Sequence, residues 1–127
     1  MTEEFLMRET RLWTWHLLAI PVILVLLGLH FAVQHYAPVF YGVSVEEARS
    51  FEAMITRGKD TVQLVLYILL LAAGLYHGLY GTRGIIRELP LSPTLAKIVD
   101  WGILLVGIAI FALGTYVTWW TFTHPGV

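Results

Sequence analysis

Residues 61–83 read TVQLVLYILLLAAGLYHGLYGTR, an apolar run that carries no charge until Arg83 closes it. About 20 apolar residues suffice to span the roughly 30 Å hydrocarbon core of a bilayer, and this run has the length to do so. It lacks the polar stripe at 3.6-residue spacing that a half-solvated helix needs. Two other stretches share the property: no Asp, Glu, Lys or Arg lies between Arg11 and Glu46, and none follows Asp100. The pattern predicts three transmembrane helices, at about residues 12–36, 61–82 and 98–121. The expected fold is therefore all-α, an integral membrane three-helix bundle in which residues 1–127 form a single domain.

Composition agrees. The chain is 57% apolar and 13% charged, against about 25% charged in soluble domains. It contains no cysteine, which excludes disulfides, iron–sulfur ligation by this chain, c-type haem attachment and thiol catalysis. A net charge of −1 says nothing about partners, and the lack of a basic patch points away from nucleic acid. There is no nucleophile–base pair, no phosphate loop and no metal cage beyond histidine. The chain alone is not expected to catalyse a bond-breaking reaction. Its first apolar run is too long for the core of a signal peptide, so the first helix is expected to stay in the mature protein.

The connections carry their own signals. Ser44-Val45-Glu46-Glu47 is a capping-box pattern, and Val45, Ala48, Phe51, Met54 and Ile55 follow at helical spacing. A short amphipathic helix is expected there, between helices I and II, lying along the membrane surface and ending near Gly58. Pro90 and Pro93 stop helix II and set up helix III, with Ser92 or Thr94 as cap. Pro21 predicts a bend in helix I rather than a break. Arg8, Arg11, Arg83, Arg87 and Lys97 on one side outnumber Arg49, Arg57 and Lys59 on the other. That bias puts the N-terminus in the cytoplasm and the C-terminus outside. Trp13 and Trp15 at one end, and Trp119 and Trp120 at the other, suit the two aromatic belts.

Histidine inside such a helix is costly unless its ring nitrogens find partners, which makes it a candidate functional residue. At 1.5 Å of rise per residue, His77 lies about 9 Å inside the boundary marked by Arg83, and His30 about 28 Å inside that marked by Arg11. An axial gap of roughly 19 Å is too large for two ligands of one metal. If both bind haem, they bind different haems, and each second axial ligand comes from a partner subunit. Gly74, Gly81 and Gly84 fall within roughly 60° of His77 on the helix wheel, a trough that lets a flat macrocycle approach the backbone. Arg83 and Arg87 follow at the boundary, where their forked donors match haem propionates. The alternative is a small-residue packing face with His77 as interhelical glue. His16 shares a face with His30 and lies near the depth of His77, so a single haem held by His16 and His77 is also geometrically open. Trp13, His16 and Tyr80 are candidates for a quinone-site wall, although aromatic packing explains Tyr80 equally well. His35 and His124 fall at the edges, where solvation is expected. Asp100 is expected to be a first-turn residue favoured by the helix dipole.

At His77-Gly78-Leu79-Tyr80-Gly81-Thr82-Arg83 the chain resembles the H-x3-G-x-R segment in the membrane-anchor subunits of succinate dehydrogenases and fumarate reductases, respiratory complex II. Gly28-Leu29-His30-Phe31 is similar to the helix I ending of many of these anchors. Length, helix number and histidines in helices I and II extend the likeness across the chain. The resemblance implies a cytochrome b subunit in which His30 ligates a distal haem b and His77 a proximal one, with Arg83 at a propionate. It implies two haems shared with a second membrane-anchor subunit, and docking of an iron–sulfur subunit and a flavoprotein subunit on the cytoplasmic face of a bacterial or archaeal membrane. Electrons would pass between those partners and a membrane quinone, as in the tricarboxylic acid cycle enzyme. The chain departs from the pattern where many anchors have an arginine followed by Ser-Gly near the start of helix I; here His16-Leu17-Leu18 stands. After Arg83 the usual histidine is Gly84, and the later aspartate has its counterpart only in Glu88.

Two other readings remain at this point. One is a b-type cytochrome subunit of another membrane oxidoreductase, such as a hydrogenase or formate dehydrogenase. The other is a haem-free helical scaffold whose histidines only pack.

Overall fold

A computed structural model of the chain describes the backbone of residues 3–124, and the side chains of all of these except 37, 38, 40 and 41. Five helices follow one another: α1 (Glu3–Tyr41), α2 (Val45–Ala48), α3 (Phe51–Gly58), α4 (Thr61–Arg87) and α5 (Pro93–Thr123). Helices α1, α4 and α5 are each long and apolar enough to cross a membrane. All three outrun the apolar spans expected from the sequence. Hydropathy marks where lipid ends, whereas a helix continues until its backbone is capped. The residues before Leu12 include no proline or glycine, so α1 begins at Glu3 and also runs unbroken through Pro21.

The caps fall where their chemistry puts them. Asp60 accepts from the Gln63 amide at 3.0 Å to start α4. Ser92 does the same for α5 from Leu95, with Pro93 in the first turn. The capping box is present: the Ser44 hydroxyl accepts from the Glu47 amide at 3.0 Å, and the Glu47 carboxylate accepts from the Ser44 amide. The surface helix is split in two, however. Ser50 is a second N-cap, accepting from Ala53 at 3.2 Å, so the chain restarts after Ala48 instead of running on. The Arg57 guanidinium then ties the two pieces by donating to the Ala48 carbonyl at 2.7 Å.

Helix α4 is the centre of the bundle. It packs against α1 on one side and α5 on the other, and among the described residues the backbones of α1 and α5 do not meet directly. On α1 the better-covered residues recur as Glu9, Leu12, His16, Ala19, Ile23, Leu26, His30 and Val33. This alternation of three and four is the seam of a left-handed helix pair. On α5 the seam includes Ala96, Asp100, Ile103, Gly107, Gly114, Thr118 and Thr121. Its small members admit side chains from α4: a Cβ added to Gly107 would stand 2.7 Å from Leu79 Cδ1, and one on Gly114 2.5 Å from Leu71 Cδ2. Close approach through small residues is how helices gain contact where lipid is as apolar as they are. At the far end, Gly58 of α3 lies against the Thr121 side chain of α5. Outside the seams, large apolar residues such as Leu24, Val25, Ile98 and Leu105 are exposed, which suits a hydrocarbon surrounding rather than water.

Candidate functional site

The α1 seam brings His16 and His30 against α4, which carries His77. The His16 and His77 rings stack face to face, with centroids 4.2 Å apart and planes within 1°. His77 Nδ1 also lies 3.2 Å from the His16 carbonyl oxygen. A carbonyl can only accept, so Nδ1 carries a proton and donates; in the Nδ1–H tautomer the ring's lone pair lies on Nε2. Tyr80 meets His16 at 5.1 Å on the same turn, and Gly81 packs beneath it, where an added Cβ would stand 3.4 Å from His16 Cε1. One turn away, the Tyr76 hydroxyl donates to the Leu12 carbonyl at 2.7 Å. His30 lies toward the other end of the seam, its ring edge-on to Tyr67 at 5.7 Å. From the level of the His16–His77 pair to that of His30–Tyr67 is about 15 Å measured along α4 and 21 Å along α1, which brackets the expected gap.

The boundary near α4's last turns holds a charge cluster. Arg83 donates from Nε to Asp100 at 2.9 Å and from Nη1 to Glu9 at 3.2 Å, so one guanidinium joins α1, α4 and α5. Arg87 completes the cluster, with Nη2 2.6 Å from Asp100. Asp100 is not the first-turn residue the sequence led us to expect: α5 begins at Pro93 and has no acid in its first turn, and Asp100, deeper in the helix, pairs instead with two arginines of the neighbouring helix. The two acids that engage Arg83 were not singled out as its partners by sequence reasoning. The available signal was their phase: Glu9 shares the seam of His16, and Asp100 that of Gly107.

Between α1 and α5, with α4 as floor, runs an open groove of about 750 Å³. Arg8, Glu9, Arg83 and Asp100 stand at its mouth, and its walls are apolar apart from Tyr76 and Tyr80. From Asp100 to Ala112 it extends about 18 Å along α5. Of the three residues expected at a quinone wall, Tyr80 lines this groove. His16 lies instead on the seam against α4, and Trp13 is exposed on α1 outside the groove.

For haem b, the group that the resemblance implies, His77 is the residue of this cluster that would hold it. The Nδ1 donation leaves Nε2 for coordination, and Gly74 and Gly84, on the same side of α4, have open space where a Cβ would be. Gly81, by contrast, is covered by His16, so the trough is shorter than the sequence suggested. The His16 and His77 rings stack directly at 4.2 Å, which leaves no room for a macrocycle between them. Arg83 reaches both of its acids and so has few donors to spare. Arg87 engages Asp100 through Nε and Nη2 only, which leaves Nη1 for another anion. No group of three or more metal-ligating side chains occurs among the described residues.

Compared with known proteins, the chain matches no family model, no curated sequence and no solved structure.

Proposed function

We propose that this chain is the haem b-binding membrane-anchor subunit of a succinate:quinone oxidoreductase, a non-catalytic electron-transfer subunit. The observation that carries the proposal is His77, a half-buried intramembrane histidine held at Nδ1 by a carbonyl, with Nε2 left to coordinate. Iron-ligating histidines are oriented in the same way, by a hydrogen bond from the other ring nitrogen. His30, some 15–21 Å away along the membrane normal, is the corresponding ligand of a second haem. Each haem takes its other ligand from a second membrane-anchor subunit. When bound, the haem supplies reversible one-electron transfer. This chain's residues orient and insulate it: the seam fixes His77 and His30, the open Gly74 and Gly84 admit a flat ring, and Arg87 offers a donor to a propionate. Arg83 serves the same end by fixing the helices at that boundary. The groove that begins at Arg8 and Arg83, about 750 Å³, has the volume of a small-molecule site and suits a quinone, with Tyr80 in its wall. The basic face formed by Arg8, Arg11, Arg87 and Lys97 is the cytoplasmic one, where iron–sulfur and flavoprotein subunits dock.

Pyridine haemochrome analysis of the complex should return about two b haems per copy of this chain, and His77→Ala should remove one while the other stays. Full haem content with unchanged midpoints in His77→Ala would overturn the reading.

A haem-free scaffold is the second reading, favoured by one observation: the His16–His77 stack over Gly81 is a packed helix–helix contact in its own right. A dithionite-reduced spectrum of the purified complex decides between them, since the scaffold has no b-type bands.

A further inference from the structure

His16 stands at a seam position of α1 and is pressed between two parts of α4. One face of its ring lies on the His77 ring at 4.2 Å and 1°, and its Cε1 edge rests on Gly81, the residue whose missing side chain makes the room. Its Nδ1 is buried without a hydrogen-bond partner. The ring is therefore held by shape rather than by hydrogen bonds at that nitrogen, and it acts on its neighbour as a flat plate. A histidine bound to iron through Nε2 has one soft rotation left, about the iron–nitrogen axis, and that rotation sweeps the plane of the ring. Stacking on the ring face opposes that rotation while leaving the in-plane Nε2 direction clear.

Resting on the reading of His77 as an iron ligand, we propose that His16 is its positioning residue: the His16 ring, seated on Gly81, sets the plane of the His77 imidazole. Second-shell contacts of this kind tune the metal by orienting the ligand. The plane angle between two axial imidazoles governs the anisotropy of the low-spin ferric signal and contributes to the potential, so the role has its own spectroscopic readout. It also accounts for Gly81 without requiring the macrocycle to lie on it.

The test is made on the whole complex carrying the full chain, with His77→Ala, His16→Ala and His16→Phe. Low-spin electron paramagnetic resonance and potentiometric titration follow the haem that His77→Ala removes, and the other haem reports that the subunit has folded. The proposal expects His16→Ala to shift the lowest-field resonance and the midpoint of the His77 haem, or to lose that haem alone, and His16→Phe to restore the wild-type values by restoring a flat ring. An unchanged resonance and midpoint in His16→Ala overturns it. Loss of the same haem from both His16 variants also overturns it, because that outcome makes His16 a ligand. These failures differ from failure of the parent reading, in which His77→Ala itself keeps both haems.

Discussion

Replacing Arg83 by methionine keeps an unbranched stem but removes the charge that links three helices. The structure sets the size of the loss. Arg83, Glu9 and Asp100 are 20%, 26% and 30% exposed, so their pairs sit between fully solvated and fully buried ones. Exposed pairs are worth about 0.2–1 kcal/mol, and breaking buried ones costs about 3–5 kcal/mol. Asp100 retains Arg87 at 2.6 Å after the change, while Glu9 is left with Arg8 at 3.7 Å, a partner whose side chain is 65% exposed. The cost therefore falls mainly on Glu9, and Arg83→Met should destabilise the chain by about 2 kcal/mol. Arg87→Met should cost about 0.5 kcal/mol, because Asp100 still has Arg83 and Arg87 is itself 38% exposed. Equilibrium unfolding in mixed micelles measures both, and a double-mutant cycle with Glu9→Gln isolates the α1–α4 pair. The cycle should return a coupling of about 1 kcal/mol, reduced at high salt. A coupling near zero, or an Arg87 variant as costly as the Arg83 one, would refute the view that this guanidinium is the tie between α1 and α5.

Three further outcomes follow from the packing and the charge bias. Gly114→Leu should destabilise by about 1–3 kcal/mol by overpacking against Leu71, whereas Gly28→Leu, with open space at its Cβ position, should cost little in the same unfolding assay. Tyr76→Phe should cost about 1 kcal/mol through the lost bond to the Leu12 carbonyl; a neutral result would mean that the contact does not hold α1 to α4. For topology, the absence of native cysteine makes labelling clean. An impermeant maleimide added outside intact cells should label Glu46→Cys and spare Leu89→Cys, and the reverse pattern would invert the proposed orientation.

Most of the architecture was legible because lipid imposes a single rule: a charge-free run long enough to span must satisfy its own backbone as a helix. The ends were less legible. Arg8, Glu9 and Arg11 are poor membrane residues but adequate helix formers, so α1 extends through them to Glu3. The split of the surface helix turned on Ser50, one more serine in a run whose apolar spacing favoured continuity; its hydroxyl captured the Ala53 amide and restarted the helix. At the candidate site, rise per residue correctly levels His16 with His77 and separates both from His30, since depth needs only the sequence and a pitch. Contact between side chains needs the crossing of two helices, which one chain's periodicity does not contain. That is why the stacking of His16 on His77, and the capture of Arg83 by Glu9 and Asp100, appear only in three dimensions.

The arrangement of polar groups along the bundle has a physical logic that constrains any functional reading. Ion pairs join the three helices at one end, through Glu9, Arg83, Asp100 and Arg87. At the other end, α3 lies against α5 through Gly58 and Thr121. Between these ends, α1 meets α4 along a seam with few polar side chains, and its two intramembrane histidines both fall on it. His16 and His30 are two heptads apart, so in a left-handed pair they keep the same phase, whereas an ideal straight helix would drift by about 40° over that distance. Each also meets an aromatic ring of α4, His77 in one case and Tyr67 in the other. Their surroundings differ in one respect: at the level of His16 the α4 ring is itself a histidine, whose Nδ1 is already committed to a carbonyl. The buried imidazole nitrogen without a hydrogen-bond partner at this level is His16 Nδ1, in a place where water is scarce. An unpaired imidazole nitrogen there is costly to keep.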